Sequence, residues 1–205
     1  MSQGADYGYS DAAPTWANAY LWPVLEREVA SLRPASRLAF DLGCGNGATA
    51  NFLAGLGFEV TGVDPSESGI AIGKAAYPRC HFEVASAYDA LANHFGRFPL
   101  VVSLEVVEHL YNPRRFANTI FDLVEPGGTA IVSTPYHGYL KNVALAVSGR
   151  LDRHFGPLWD GGHIKFFSIA TLRQLLTEAG FHSIRFIRVG RFPPVAKSMV
   201  AIARK

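Results

Sequence analysis

Cysteine is scarce. The 205 residues contain two, Cys44 and Cys80. Cys44 lies among closely spaced glycines where a bridge would not fit, so the chain is not a disulfide scaffold and reads as a protein of a reducing compartment, the cytoplasm. No apolar run approaches the roughly 18 residues of a spanning helix. The first eleven residues are polar and acidic, unlike a signal peptide. Internal repeats and low-complexity tracts are also missing. What remains is a chain of ordinary apolar content, 49%, and a length expected of one domain. Formal charge is nearly balanced at +2. Residues 1–135 carry 8 Lys/Arg against 14 Asp/Glu, and residues 136–205 carry 11 against 3. The positive residues are dispersed, so no nucleic-acid partner is expected. Stretch 139–151 is short and only modestly amphipathic, which leaves contact with a membrane surface open.

The most informative stretch is Asp41-Leu42-Gly43-Cys44-Gly45-Asn46-Gly47. It follows an apolar run at 38–40 and precedes a helix-compatible run. Strand, glycine loop and helix form the context in which a backbone approaches a nucleotide-like ligand. Asp64 ends the next apolar run, about 20 positions on, where an acid commonly binds a ribose diol. Gly43, Gly45 and Ala48 fit a dinucleotide fingerprint. Asp41, however, stands at the loop's mouth and would repel a pyrophosphate. It suits a ligand with an ammonium group, a carboxylate and a ribose, which describes S-adenosylmethionine (SAM).

Further segments carry a family resemblance. The stretch Asp41 to Gly47 resembles the first motif of class I SAM-dependent methyltransferases, and Val63-Asp64-Pro65-Ser66 resembles their second-strand acidic motif. Ser103-Leu104-Glu105-Val106-Val107-Glu108-His109-Leu110 is similar to the fourth-strand segment, especially of the ubiquinone-biosynthesis O-methyltransferase branch. Leu123-Val124-Glu125-Pro126-Gly127-Gly128 and Ser133-Thr134-Pro135 resemble the turn before strand five and its end. The resemblance implies a Rossmann-like α/β fold: a doubly wound, mostly parallel seven-stranded sheet with an antiparallel last strand. It also implies a cofactor site. Gly43, Gly45 and Gly47 would meet the methionyl end, Asp41 the amino group and Asp64 the ribose. Ser86 stands where the family places an acid for adenine, with Asp89 as a second candidate. Cys44, Pro65, Ala87, Leu104 and Glu105 complete the implied contacts. SAM is the expected cofactor and S-adenosylhomocysteine (SAH) its product.

The periodicity predicts helices at 12–32, divided or kinked at Pro23 and closed by Pro34, and at 46–56, 67–76, 114–123 and 169–179. Strands are expected at 38–40, 58–63, 82–85, 100–104, 129–133, 184–189 and 198–203. Pro99 should mark the start of its strand. Arg191-Phe192-Pro193-Pro194 suits a turn that makes the last pair antiparallel. The whole chain, 1–205, reads as one domain. Its N-terminal helical segment 1–35 and insert 136–167 are expected to form a cap.

Methyl transfer needs a positioned acceptor and a proton acceptor. His137, after strand five, His109 and His163 are the candidate catalytic residues, with His154 also in the insert. His81, His94 and His182 read as structural. If the strand turned helical after Glu105, then Glu105, Glu108 and His109 would share a face and could hold a divalent metal. That reading is not favoured, because the spacing is not diagnostic. The ordered motifs, through the resemblance, imply transfer to an oxygen of a small molecule. Tyr7, Tyr9, Trp16, Trp22, Tyr136, Tyr139 and Trp159 suggest an apolar or aromatic acceptor, with sugar, carboxylate and amine acceptors still open. Two other readings stay open: an NAD(P)-binding oxidoreductase and a non-catalytic SAM-binding module. Oligomeric state is not readable from the sequence.

Overall fold

The computed structural model describes residues 8–32 and 36–205. Tyr7 and Pro34, both singled out above, lie outside the described residues. Seven strands form one sheet: β1 (Leu38–Leu42), β2 (Glu59–Asp64), β3 (His81–Val84), β4 (Phe98–Leu104), β5 (Val124–Pro135), β6 (His182–Val189) and β7 (Ser198–Arg204). Their order is β3-β2-β1-β4-β5-β7-β6. The first five pair in parallel, whereas β7 runs antiparallel to both β5 and β6. This is the doubly wound arrangement expected from the alternation of strands and helices.

Alternate residues of each strand feed two separate cores, as a sheet covered on both faces requires. Phe40, Val101, Val132 and Ala201 pack on one side with helices α5 (Pro113–Leu123) and α8 (Ile169–Glu178). Ala39, Leu100, Ile131 and Val200 pack on the other with α1 (Asn18–Ser31), α2 (Ala48–Gly55) and α3 (Glu67–Ala76). The helix after β1 and the helix after β4 therefore leave the sheet on opposite faces. Between them opens the crevice where ligands of such sheets bind.

Local chemistry sets the boundaries. Ser66 caps α3 by accepting from Gly69 N at 3.1 Å. Asn112 caps α5 and precedes Pro113, and Ser168 with Thr171 forms a capping box on α8. Three expectations shift. Pro23 does not divide its helix: α1 is continuous around it, although a helix interior loses a hydrogen bond there. Burial of Leu21, Val24 and Leu25, and stacking of Trp22 on Phe52 at 4.4 Å, offset that loss. Second, β4 starts two residues early, and its register on β5 slips across Phe98–Leu100, around Pro99, which cannot donate to the ladder. Third, β5 begins at Val124, so the Pro126-Gly127-Gly128 segment is an irregular part of the strand rather than a turn before it. A short helix at Leu91–Phe95, α4, was not anticipated. No helix among the described residues is long and apolar enough to cross a membrane.

One ion pair ties the first helix to the far edge of the sheet. Glu28 is 7% exposed and meets Arg185 of β6 through both carboxylate oxygens. Arg185→Ala leaves that carboxylate without its partner. It should cost about 1–3 kcal/mol, read from urea denaturation. A midpoint equal to the parent's would show that Arg27, 3.6 Å from Glu28, substitutes for it.

Candidate functional site

The glycine loop folds because strand β1 must turn sharply into α2. Gly43, Gly45 and Gly47 all have positive φ, at 79°, 55° and 82°. At all three space is as limiting as conformation. A Cβ on Gly43 would lie 2.5 Å from a methyl of Val106, one on Gly45 would lie 2.4 Å from the hydroxyl of Tyr9, and one on Gly47 would lie 2.6 Å from the Phe82 ring. The amides of Gly43 and Cys44 donate to Val63 O, which locks the loop to β2. Asp64 ends β2. Its carboxylate accepts from Gly45 N at 2.9 Å and Ser66 N at 2.9 Å. Sequence spacing thus brings Asp64 onto the glycine loop as anticipated, with Pro65 exposed beside it.

Asp41 lies beneath this loop, 1% exposed, and its Oδ2 has no hydrogen-bond partner. Burial, reinforced by the nearby Asp64, raises its pKa to about 7. Cys44 is also buried, and its thiol is pushed well above its usual range for the same reason. The loop has a strap that the sequence did not reveal. Asn46 donates to the carbonyls of Asp11 and Ala13, both at 2.9 Å, and Tyr77 donates to Ala12 O at 2.6 Å. These bonds carry Tyr9 to Gly45. Asparagine within the loop and tyrosines nearby were visible in the sequence, but nothing in their spacing joins them.

Beyond β3, Ala87 is buried, whereas Ser86 and Asp89 engage each other. Ser86 N donates to Asp89 Oδ2 at 2.7 Å, and Tyr88 N donates to Ser86 Oγ at 3.2 Å. The carboxyl end of β4 departs further from expectation. Leu104 is half-buried, and Glu105 turns into the left-handed region at φ 56°. The chain continues as a single 3-10 turn, Val107–His109. Glu105 therefore leaves the face it was expected to share with Glu108 and His109. Its Oε1 accepts from Ser133 at 2.7 Å and its Oε2 from Ser198 at 3.0 Å, and Ser198 also meets the Tyr20 hydroxyl at 3.2 Å. Burial raises Glu105 to about 7, opposed by these two hydroxyls.

Glu108 takes the opposite course. It is fully buried, both carboxylate oxygens lack a hydrogen-bond partner, and burial pushes its pKa well up. His109 and His163 lie beside it, with ring centroids 4.8 Å apart. One donor atom from each of Glu108, His109 and His163 falls within 4.8 Å of the others. The metal-capable trio is thus different from the one the sequence grouped, with His163 in place of Glu105. An unpartnered carboxylate between two imidazoles fits a divalent cation. Desolvation lowers both histidines, His163 to about 4.

The insert closes over this end. It contains α6 (Tyr139–Val147) and α7 (Leu151–Phe155). It is fastened by the amides of Ile164 and Lys165 donating to Glu108 O, and by His137 N donating to Phe167 O. His137 is 7% exposed and sits apart from the His109–His163 pair, among the rings of His154, Phe155 and Phe166. Its pKa is held down to about 4 by burial and then by Lys141. Lys141, on α6, escaped sequence reasoning. It is 9% exposed and donates to Tyr136 O at 2.8 Å. Lysine is ordinarily exposed, and nothing in the local sequence marks this one for burial.

Comparisons with known proteins agree with this geometry. A family profile described as a methyltransferase domain matches residues 17–185. A ubiquinone biosynthesis O-methyltransferase from Ruegeria pomeroyi is 30% identical over 164 residues, covering 78% of this chain and 66% of the relative. One of the same name from Caulobacter sp. is 40% identical over 113 residues, covering 53% and 44%. The chain thus spans between 44% and 66% of the length of these curated relatives. Among solved structures, a magnesium protoporphyrin IX methyltransferase from Synechocystis PCC 6803 with bound SAH matches with TM-score 0.68. It is 22% identical and covers 90% of this chain and 81% of that one.

Proposed function

The chain belongs to the methyltransferase-domain family, and from that premise we propose that it transfers a methyl group from SAM to an oxygen of a small-molecule acceptor. One observation carries the cofactor side: a buried carboxylate oxygen of Asp41, without a partner, under a glycine loop that is itself bound to Asp64. Such an oxygen costs free energy unless a cation reaches it. The SAM ammonium, which a dinucleotide lacks, is the matching group. Asp64 takes the ribose hydroxyls, a charge-assisted pairing. Gly43, Gly45 and Gly47 line the methionyl end with Cys44. Pro65, Ser86, Ala87 and Leu104 flank the nucleoside. Glu105 acts at this site through Ser133, Ser198 and Tyr20, which it holds across three elements.

The acceptor side lies under the cap made by the N-terminal segment and the insert. In-line attack on the sulfonium carbon requires an acceptor oxygen that has lost, or is losing, its proton. Burial lowers the pKa of His109, His163 and His137, which favours the neutral imidazole, the form that can accept a proton. A divalent cation, when bound, would be held by Glu108, His109 and His163 and would lower the hydroxyl's pKa. The names of the Ruegeria and Caulobacter relatives support oxygen as the methylated atom.

Thermal unfolding with SAH tests the cofactor. Ligand at about 100 times its dissociation constant adds roughly 2.7 kcal/mol, and the rise should vanish in Asp64→Ala. Stabilisation by NAD(H) in place of SAH would overturn the assignment.

Asp41 gives a second test through pH. In the folded protein it keeps its proton to about pH 7, whereas its ordinary pKa is 3.8. Its contribution to stability is therefore complete below about pH 4 and lost as pH rises through about 7. Asp41→Asn should stabilise the ligand-free protein at pH 8 by about 2–4 kcal/mol, while weakening SAH binding. At pH 4 the two proteins should unfold alike. Equal differences at both pH values would refute the buried-acid reading.

The base is found from kinetics. Of His109→Ala, His163→Ala and His137→Ala, the variant lacking the proton acceptor should lose about 10²–10⁴-fold in kcat with SAH affinity unchanged. Near-parental kcat in all three would place the base elsewhere.

A further inference from the structure

The insert and its neighbour gather basic side chains that make no ion pair with a carboxylate among the described residues. Lys141 of α6 stands with His137 after β5, His154 of α7 and Arg191 of the β6–β7 connection. His137 and His154 are 5.6 Å apart between ring centroids. Charge on Lys141 is felt at both histidines, and charge on Arg191 at both Lys141 and His154. Geometry joins them: Lys141 Nζ donates at 2.8 Å to Tyr136 O, the carbonyl preceding His137, and the His137 ring meets that of His154, with Lys141 and His137 buried and His154 and Arg191 exposed at the mouth of the group. No carboxylate among the described residues makes an ion pair with any of the four. Glu105 is the acid whose charge Lys141 feels, but both its oxygens are already taken by Ser133 and Ser198.

A buried ammonium bonded to a neutral carbonyl, with the charge of Arg191 acting on it, is costly to fold around. Lys141 falls to about 8, by burial and then by Arg191. An anionic group entering from the mouth would reverse both penalties and gain charge-assisted hydrogen bonds. Rings line the same space: Phe155 and Phe166 lie 4.8 Å apart, with His137 5.9 and 5.1 Å from them. They offer an apolar seat for the body of the molecule that carries the charge.

We propose that Lys141, His137, His154 and Arg191 form an anion subsite in the insert, and that the acceptor is an aromatic or apolar molecule bearing a carboxylate or phosphate. This rests on the methyltransferase reading for the word acceptor, but not for the binding itself. The clustering of four basic side chains from separate elements also gives a local purpose to the excess of basic residues after residue 135.

The test is calorimetric titration of the SAH-bound protein with benzoate, phenyl phosphate and neutral benzamide. An anion should bind about tenfold or more tightly than benzamide, and preference between the two anions identifies carboxylate or phosphate. Lys141→Met should weaken the preferred anion about tenfold, and Arg191→Gln, at the exposed mouth, should weaken it several-fold with no effect on the fold. SAH affinity, measured separately in each variant, should be unchanged. Equal binding of benzamide and the anions, no anion binding at 20 mM, or full anion binding in both variants would overturn the subsite. Loss of SAH binding in the parent protein would instead count against the cofactor assignment alone.

Discussion

Parallel pairing of β1 with β4 is the constraint on which the rest depends. It places the chain's crossing point in the middle of the sheet and sends α2 and α5 to opposite faces. The carboxyl ends of β1, β2 and β4 then share one edge. Asp41 and Asp64 are the next-to-last and last residues of β1 and β2, and Glu105 directly follows β4. Their proximity is a property of topology, achieved without any of them contacting another in sequence. The two hydrophobic cores make this edge rigid, because each strand residue below it belongs to one core or the other.

That rigidity is what allows the site to hold groups in unfavourable states. A marginally stable domain gains nothing from an unpartnered Asp41 oxygen, a fully desolvated Glu108 or a buried Lys141. Each would be more stable as an apolar residue of similar size. Their arrangement also has a pattern. The acids lie at the strand ends and the bases lie in the insert, so the two halves of the crevice differ in sign. A cofactor with an ammonium and a sulfonium suits the first half, and an anionic acceptor suits the second. Attraction of opposite charges across the crevice would also bring the acceptor and the sulfonium carbon together.

Much of this was legible in the sequence. The glycine loop and Asp64 were readable because short-range spacing alone dictates them: a tight turn needs glycine, and the next strand must end about 20 residues on. The mostly parallel, doubly wound sheet followed from alternation of element types, and the antiparallel last pair from the helix-free connection between its strands. What escaped depended on tertiary contacts. Pro23 remained inside α1 because packing of Leu21, Trp22 and Leu25 outweighed a local helix-breaking preference. Glu105 left the expected face because a single left-handed residue rotated it toward Ser133 and Ser198, partners 28 and 93 positions away. His163 took its place beside Glu108 from a loop more than 50 residues further on. Lys141 was invisible for a different reason: the hydrophobic pattern of α6 has to be read with a neighbouring element, and the neighbour is the 193–195 turn between β6 and β7.

The insert's attachment explains how acceptor and cofactor chemistry can be coordinated. Its return path hangs on Glu108 O, which receives two amides, while the side chain of Glu108 lies buried below without a hydrogen bond, 4.0 Å from His109. Main chain and side chain of one residue therefore serve different parts of the site. Any shift of the insert pulls on the 3-10 turn that also carries His109, and His109 in turn meets the insert again through Gly161 O at 2.9 Å. Movement at the acceptor end is consequently felt at the end of β4, one residue from Glu105 and its links to Tyr20 and Ser198. In the proposed reading the strand ends hold the methyl donor, and the insert, anchored to one of those same ends, sets where an acceptor would lie relative to it.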